Sequence, residues 1–460
     1  MNFNHEIFRE YDIRGKYQID YDHAFAKALG RAFVLFSKKH LSGPIKIALG
    51  KDARHSSEPL LKSIAEGIML EGADVLDLGL ITSPISYFSN YYDKSITGAV
   101  MITGSHNPPE YNGFKITLDK KTLTSNEIQD LKEILLHMSV ENTNEIGSIS
   151  SYDIITPYIK RLAEEFSHLK DMSFIIDCGN GAAGSAAKKA FEACNLNPDI
   201  LFEKPDGDFP NHHPDPTLEE NLIDIKKALK DSNYKLGIAY DGDADRIVVI
   251  TPKGRTVYSD ELMSLYAREV LKEYPGAKII GDVKCSDEFY KLLKTWGAVP
   301  IMWKTGHSLI KKKVKDEESP FGGEFSGHIF FNDRYYGYDD ALYCSLRLIE
   351  IVQNYEEKTL DQLLDFYPQT FSSPEIRIEV GEKEKHKLVD LYKNEIKKWS
   401  SDLNELDGVR ATFDSGWALV RCSNTQPSIT LRFEASTEED LYKIMQISSE
   451  ILKIDLRAHL

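Results

Sequence analysis

The stretch MITGSHNPPEYNGFK, residues 101–115, ends an apolar run with a turn that carries one serine, Ser105. Gly, Asn and Pro-Pro end strands in many folds, so an ordinary solvated turn explains this composition as well as a functional loop does. The same apolar runs recur after helical patterns elsewhere in the chain. Residues 22–38 repeat apolar side chains at helical spacing, and IKIALG at 45–50 then has the pattern of a strand. Strands that alternate with helices predict an α/β fold with largely parallel sheets.

Length and charge limit the class of protein. The 460 residues exceed what one hydrophobic core normally serves, so several domains are expected. A formal net charge of -16 argues against binding to nucleic acid or to an anionic membrane surface. The five cysteines are scattered and form no CxxC pair, which predicts reduced thiols without a zinc site. The charged start lacks the pattern of a secretory signal and no apolar run reaches membrane-spanning length, so the expected location is the cytoplasm.

Polar segments between the helical and apolar patterns predict four domains. The last domain differs from the others, because two apolar segments flank a polar turn and precede a helix that starts with Ser436 and Glu439 in capping-box spacing. It is therefore expected to be α+β, whereas the first three are α/β. The predicted ranges are 1–150, 151–256, 257–370 and 371–460.

The motif DGDADR predicts a metal site. Asp241, Asp243 and Asp245 alternate with small residues, so an extended backbone would direct three carboxylates to one side. Oxygen ligands alone favour a hard cation, and Mg²⁺ fits better than zinc or copper. A calcium EF-hand does not fit, because its sixth position would be Arg246 and its twelfth Pro252. An acidic solvated turn is the alternative.

Two later motifs have the composition of substrate-binding loops. In FGGEFSGH, the Glu324 carboxylate and the Ser326 hydroxyl form a pattern that can bond adjacent sugar hydroxyls, although a plain turn looks the same. In RCSNTQPS, Arg421 stands among hydroxyls and turn amides, which is typical of a phosphate site. A polar hairpin with an incidental arginine is the alternative for this segment.

These motifs, in this order and with FREYDIRG at residues 8–15, resemble the α-D-phosphohexomutase superfamily, specifically its bacterial phosphomannomutase/phosphoglucomutase type. The resemblance covers the whole chain. It implies a four-domain, heart-shaped arrangement of three related α/β domains with mixed sheets and one C-terminal α+β domain. It also implies reversible transfer of phosphate between O1 and O6 of a hexose phosphate, mannose or glucose, through a phosphoserine and a hexose 1,6-bisphosphate intermediate, with Mg²⁺ as cofactor.

Carried onto this chain, the resemblance makes Ser105 the phosphate carrier and Asp241, Asp243 and Asp245 the Mg²⁺ ligands, together with an oxygen of the phosphoserine. The implied roles of the remaining residues fall into four sets. Those that shape the serine loop are Thr103, His106 and Asn107. Those that supply charge or move protons are Arg14, Lys115, Arg246, His307 and His328, and the general base is Lys115, His307 or His328. Those that bind the sugar or line the site are Tyr11, Lys284, Glu324 and Ser326. Those that bind the distal phosphate are Arg421, Ser423, Asn424 and Thr425.

Three other functions stay open at this point. Phe325 stands where related phosphoglucosamine mutases carry Gln, so glucosamine phosphate is the second choice of substrate. A phosphoserine phosphatase would share the serine and the metal but does not require a distal phosphate loop. A silent sugar-phosphate sensor would lack the serine or a metal carboxylate, and both are intact. Small-molecule hexose phosphates are the expected partners, and a monomer or weak dimer is expected.

Overall fold

A computed structural model of the protein describes residues 3–10, 12–139, 145–423 and 428–456. The chain forms two compact units. The first contains residues 1–262 and 326–364, and the second contains 263–325 and 365–460. Within the ranges just given, no helix is both long and apolar enough to cross a membrane.

The first unit begins with a mixed sheet. Its elements in chain order are β1 (Ile13–Lys16), α1 (His23–His40), β2 (Lys46–Lys51), α2 (Ser57–Leu70), β3 (Asp74–Leu80), α3 (Ser83–Tyr92), β4 (Gly98–Ile102), β5 (Tyr111–Leu118), β6 (Lys121–Thr122), α4 (Ser125–His137) and β7 (Ile149–Ser151). The strand order is β1-β5-β4-β2-β3-β7, with β6 beside β5. β2 is parallel to β3 and β4, whereas β5 is antiparallel to β1 and β4, so the sheet is less parallel than predicted.

Burial of apolar side chains explains why these segments form the sheet and the helices packed on it. Helix α1 begins where the Asp22 side chain accepts a hydrogen bond from the Phe25 amide, and the apolar side chains predicted along it are buried. Each such phenylalanine contributes roughly 1.5–3 kcal/mol when it leaves water. β4 is buried at every position and runs parallel to β2. The loops that follow β2 and β4 therefore lie at one edge of the sheet.

A second mixed sheet follows in the first unit. Its elements are α5 (Ile155–Phe166), β8 (Ile175–Asp177), α6 (Ala187–Ala193), β9 (Asp199–Leu201), α7 (Ile223–Leu229), β10 (Gly237–Tyr240), β11 (Ile247–Ile250) and β12 (Thr256–Val257). The strand order is β12-β11-β10-β8-β9. β10 is parallel to β8 but antiparallel to β11, so the six residues of DGDADR join two antiparallel strands.

The next elements are shared between the units. They are α8 (Ser259–Glu273), β13 (Lys278–Asp282), α9 (Asp287–Thr295), β14 (Val299–Trp303), α10 (His307–Asp316), β15 (Phe321–Gly323), β16 (Ile329–Phe331), α11 (Ala341–Asn354) and α12 (Leu360–Leu364). β16, α11 and α12 belong to the first unit. In the second unit, β13 lies between β14 and β15 and is parallel to both.

The rest of the second unit is an antiparallel sheet with two helices. Its elements are β17 (Phe371–Ser372), β18 (Ile376–Glu379), α13 (Glu382–Ile396), β19 (Asp402–Asn404), β20 (Val409–Phe413), β21 (Gly416–Cys422), β22 (Ser428–Ala435) and α14 (Glu438–Leu452). The strand order is β17-β22-β21-β20-β19, with β18 beside β22. Helix α14 begins one residue later than the capping-box spacing predicts, because Thr437 rather than Ser436 caps it and accepts from the Asp440 amide.

Candidate active site

Ser105 lies in the loop after β4 and has a left-handed backbone, with φ of 49°. Its amide donates to Thr103 Oγ1 at 2.8 Å, and its Oγ lies 3.1 Å from Nδ1 of His106. The Ser105 hydroxyl also donates to Asp241 Oδ2 at 2.8 Å. The structure thus brings the predicted phosphate carrier directly against a predicted metal ligand.

Two residues without a predicted role hold this loop. The Arg54 guanidinium is buried and donates to the backbone carbonyls of Ser105 at 2.9 Å and Asn107 at 2.5 Å. It also pairs with Asp52, whose Oδ2 accepts from the Gly104 amide at 3.1 Å. Because one guanidinium binds several carbonyls of the loop, Arg54 holds the serine in its left-handed conformation. The position of Asp52 and Arg54 just after strand β2 was the one feature of the sequence that could have indicated this role.

The acidic motif forms a tight turn, which differs from the extended backbone predicted for it. Ala244 has φ of 57°, and Asp241 Oδ1 accepts from the amides of Asp245 at 3.1 Å and Arg246 at 3.2 Å. The three carboxylates are buried, and one oxygen from each lies within 4.8 Å of the others. The predicted convergence therefore occurs, but through a turn in which the first carboxylate organises the backbone.

A buried lysine forms ion pairs with two carboxylates of this cluster. Nζ of Lys115, on β5, lies 2.6 Å from Asp243 Oδ2 and 2.5 Å from Asp245 Oδ2. Burial lowers the pKa of Lys115, but the two carboxylates outweigh it and the net pKa lies above its usual value. Burial and the charges of Asp245 and Asp243 raise the pKa of Asp241. The cluster is thus rich in negative charge that the lysine only partly balances.

The acidic cluster fits a divalent cation. Asp243 Oδ1 and Asp245 Oδ1 are buried and accept no hydrogen bond from the residues that the structure describes. An unpaired buried carboxylate oxygen is unfavourable unless a cation or a donor reaches it. Ser83 supports the same arrangement, since its hydroxyl donates to the other oxygen of Asp243 at 2.5 Å. The buried acidic triad could therefore hold a metal ion through these oxygens.

His328 lies beside the triad. Its Nδ1 is 2.8 Å from Asp339 Oδ2 and 3.6 Å from Asp245 Oδ1, and its Nε2 accepts from Arg246 Nε at 3.1 Å. These contacts hold the ring from both sides. Asp339 had no predicted role, because only the fold brings this residue, two positions before α11, to the histidine.

Arg14 and Ser326 are the remaining predicted site residues that the structure describes in the first unit. The Arg14 guanidinium donates to Asn107 Oδ1 at 2.8 Å and to Asp12 Oδ2 at 2.6 Å, so it lies against the serine loop. Ser326 is half-buried on the loop that leads to His328. The first unit therefore holds the predicted carrier, the acidic triad and the cations that contact them.

The second unit holds two of the residues predicted to bind the sugar or line the site, Lys284 and Glu324. Glu324 is buried and accepts from the Gly306 amide, next to His307 at the start of α10. Asp282, at the end of β13, accepts from the Thr305 hydroxyl at 3.0 Å and from the Phe325 amide at 3.2 Å. Two carboxylates thus join the loop of residues 304–307 to residues 324–325.

The predicted phosphate loop follows β21. Arg421 is buried, with its Nε 3.0 Å from Asp407 Oδ2. The Ser423 carbonyl accepts from Lys385 Nζ at 3.0 Å, which adds a cation that the sequence did not predict. Lys284 donates to Glu375 Oε2 at 2.9 Å. Tyr11, Asn424 and Thr425 lie outside the described residues.

The predicted residues thus fall into two groups. The first unit contains Arg14, Ser105, Lys115, Asp241, Asp243, Asp245, Arg246, Ser326 and His328. The second unit contains Lys284, His307, Glu324, Arg421 and Ser423. Most of these residues lie in loops at strand ends, whereas Arg14, Lys115 and Arg421 lie within strands.

Similarity to known proteins extends over nearly the whole chain. Four phosphoglucomutase/phosphomannomutase profiles match, alpha/beta/alpha domains I, II and III at residues 5–139, 156–254 and 258–371 and the C-terminal domain at 375–448. The phosphomannomutase/phosphoglucomutase of Pseudomonas aeruginosa is 40% identical over 447 residues, which cover 97% of this chain and 95% of the relative. The phosphoglucomutase of Neisseria gonorrhoeae is 38% identical and covers 95% of each chain. A family protein from Burkholderia thailandensis of known crystal structure has a TM-score of 0.89 at 36% identity, over 98% of each chain.

Proposed function

The chain belongs to the phosphoglucomutase/phosphomannomutase family and is a hexose phosphate mutase, and we propose that it moves phosphate between O1 and O6 of mannose or glucose phosphates through Ser105. The family and the four-domain α/β fold predicted from the motifs are thereby confirmed. The contact between the Ser105 hydroxyl and Asp241 in the buried acidic cluster is the observation that carries the proposed mechanism.

In the proposed cycle the free O1 or O6 hydroxyl of the substrate attacks the phosphorus of phospho-Ser105. A bond from phosphorus to the sugar oxygen forms and the bond to Oγ breaks. The sugar hydroxyl gives its proton to a base, and Oγ of Ser105 takes a proton. The bisphosphate then turns and returns its other phosphate to Ser105 by the reverse exchange. Water and free phosphate are neither consumed nor formed, so the net reaction is an isomerisation.

Asp241, Asp243 and Asp245 are proposed to hold Mg²⁺, since carboxylate oxygens are its preferred protein ligands. When bound, the ion would neutralise charge that develops on the transferring phosphoryl group. A phosphoserine carries about -1.5 to -2 charges near neutral pH, so approach of a second phosphate requires positive charge nearby. Lys115 and Arg246 supply part of it from the protein.

Lys115, His307 and His328 remain the candidates for the general base, which must reach the attacking hydroxyl. Lys115 bridges two carboxylates of the triad. The His328 ring is held between Asp339 and Arg246. A fixed ring orientation suits a group that takes a proton from a substrate hydroxyl. His307 starts α10 in the other unit.

The second unit is proposed to bind the substrate. Glu324 would accept bonds from sugar hydroxyls, and Arg421 with the Ser423 loop would bind the phosphate that is not reacting. The Phe325 ring packs against the Arg432 guanidinium, with 3.5 Å between the guanidinium carbon and the ring centroid. The Phe325 ring has no amide oxygen that could bind the amino group of glucosamine. This residue therefore favours glucose and mannose over glucosamine.

A coupled assay tests this function. The 1-phosphates of mannose, glucose and glucosamine are compared, each with a trace of hexose 1,6-bisphosphate as activator. We expect mannose and glucose 6-phosphates to form without release of inorganic phosphate. Faster turnover of the glucosamine ester would reassign the substrate, and inorganic phosphate as the product would replace the mutase with a phosphatase.

A further inference from the structure

A carboxylate without a predicted role joins two parts of the second unit. Oδ2 of Asp407 accepts from the Thr305 amide at 2.9 Å and from Arg421 Nε at 3.0 Å. Thr305 directly precedes Gly306, whose amide donates to Glu324. One oxygen atom of Asp407 therefore connects the arginine of the phosphate loop with the loop that carries the sugar-binding glutamate.

The backbone around Asp407 is built for this approach. Gly408 has φ of 76°, and a Cβ there would overlap Arg421 Cβ and the Val420 carbonyl, so only glycine lets the turn press against β21. On the other side, Leu406 packs on the buried cluster of Val283, Trp417 and Leu419. The carboxylate is thus held rigidly between β21 and the loop after β14.

The contact is also largely shielded from water. The side chain of Arg421 is 5% exposed and that of Asp407 is 14% exposed. A guanidinium is planar, so a bond at Nε fixes the plane of the whole group as well as its position. Asp407 thus supplies a counter-charge to the guanidinium and a bond that fixes its plane.

We propose that Asp407 is a positioning residue for phosphate recognition, which rests on the function proposed above. It holds the Arg421 guanidinium at a set place relative to Glu324, so that one substrate reaches both. Because Asp407 acts through binding groups and lies outside the unit that carries Ser105, its loss should weaken binding of the hexose phosphate and leave the transfer step largely intact.

The test compares Asp407→Asn with Asp287→Asn. Asparagine keeps an oxygen that can accept from the Thr305 amide but removes the charge that holds Arg421. Asp287 is the matched control, since it pairs with Arg410 at 2.7 Å in the same unit and has no place in the proposed site. For each variant, kcat and KM with glucose 1-phosphate are measured, together with the Kd for glucose 6-phosphate by calorimetry.

For Asp407→Asn we expect KM and Kd to rise roughly tenfold, the loss of one charge-assisted contact, while kcat changes by less than about twofold. Asp287→Asn should leave both constants near wild type. Unchanged constants in Asp407→Asn, or an equal rise in Asp287→Asn, would overturn the positioning role but not the proposed function. A wild-type protein that binds glucose 6-phosphate but converts no hexose phosphate would instead overturn the function, and the inference with it.

Discussion

Ser105 donates a hydrogen bond from Oγ to Asp241 Oδ2 at 2.8 Å, although 136 residues separate them in the chain. Ser105 follows the buried strand β4 of the first sheet, and Asp241 follows β10 of the second. Because these two side chains meet, the carboxyl ends of β4 and β10 face the same region of the first unit. A phosphate on this serine would therefore lie against the acidic cluster, which requires a cation between them.

Replacing Ser105 with alanine is expected to abolish nearly all mutase activity, because no other hydroxyl would carry the phosphate. The protein should stay folded, since an alanine side chain fits where the serine contributes little packing. Turnover of glucose 1-phosphate and the intact mass are measured. Wild-type protein should show one added phosphate on a fraction of molecules, and the variant none.

Ser89→Ala is the control for this variant. Ser89 is also a buried serine of the first unit, but its hydroxyl donates to the Ser86 carbonyl inside α3. Its loss should leave activity and phosphorylation unchanged. Wild-type turnover by Ser105→Ala would remove the serine from the mechanism.

Removing a carboxylate of the acidic cluster is expected to weaken metal binding. Asp243→Asn should raise the Kd for Mg²⁺ at least roughly tenfold, and chelation should abolish wild-type turnover until Mg²⁺ is restored. Titration calorimetry with Mg²⁺ alone measures the affinity apart from activity. Asp333→Asn is the control, because Asp333 is a buried carboxylate of the same unit that pairs with Arg347. A chelated enzyme that keeps its rate would reduce DGDADR to a structural turn.

Local patterns were enough to predict much of this molecule. The helical spacing of apolar residues predicted α1, and the apolar run before TGSHNP predicted the buried strand β4. The alternation of Asp241, Asp243 and Asp245 predicted a cluster that the structure brings together. Such predictions succeed because each depends on residues within a few positions of one another.

Contacts between distant loops could not be predicted in the same way. Arg54 binds carbonyls more than fifty residues away, and Asp407 binds Thr305 across a gap of 102 residues. An arginine or aspartate in a polar loop has no pattern that names its partner. The left-handed Ala244 was also hidden, because alanine rarely adopts this conformation and only the surrounding turn imposes it.

Arg421→Ala is expected to raise KM for hexose phosphates roughly tenfold, because a charge-assisted contact to the distal phosphate is lost. The variant should also release more bisphosphate per turnover, since the intermediate must stay bound while it turns. Arg410→Ala is the control, because Arg410 is buried on Trp417 and pairs with Asp287 away from the phosphate loop. It should lower the melting temperature without changing KM. An unchanged KM and bisphosphate release in Arg421→Ala would reject its role.

Asp340 gives the first unit a pH dependence of stability. Burial raises its pKa from 3.8 to about 6, although the hydroxyls of Tyr158 and Tyr335 donate to it. Because the folded pKa lies above the unfolded one, the stabilising contribution is present below about pH 4 and is lost as pH rises through about 6. The shift of about two units corresponds to roughly 3 kcal/mol at most.

The stability of Asp340→Asn should therefore come closest to that of wild type above about pH 6. As pH falls toward about 4, the protonated Asp340 stabilises the wild type and the variant lacks this gain, so the variant should become less stable relative to wild type. Melting temperatures across this range measure the difference. When the series is extended below about pH 4, Asp153→Asn should show the opposite slope, because the Thr156 hydroxyl lowers the pKa of Asp153 and its contribution is lost in acid. Parallel profiles for Asp340→Asn and wild type would show that this carboxyl keeps its ordinary pKa.

Gly242, in the acidic turn, lies against the backbone of the serine loop. A Cβ at this position would overlap the backbone carbonyl of Ser105, so Gly242→Ala must push the serine loop away from the acidic turn. We expect kcat and Mg²⁺ affinity to fall together, because this displacement would misalign both the proposed carrier and the proposed ligands. Gly254→Ala separates this effect from ordinary backbone strain. Gly254 has φ of 79° with open space around it, so alanine there should cost about 1 kcal/mol of stability and leave kcat unchanged. If Gly242→Ala lost stability but kept wild-type kcat and metal affinity, the close approach of the loops would be a packing feature and not a condition of catalysis.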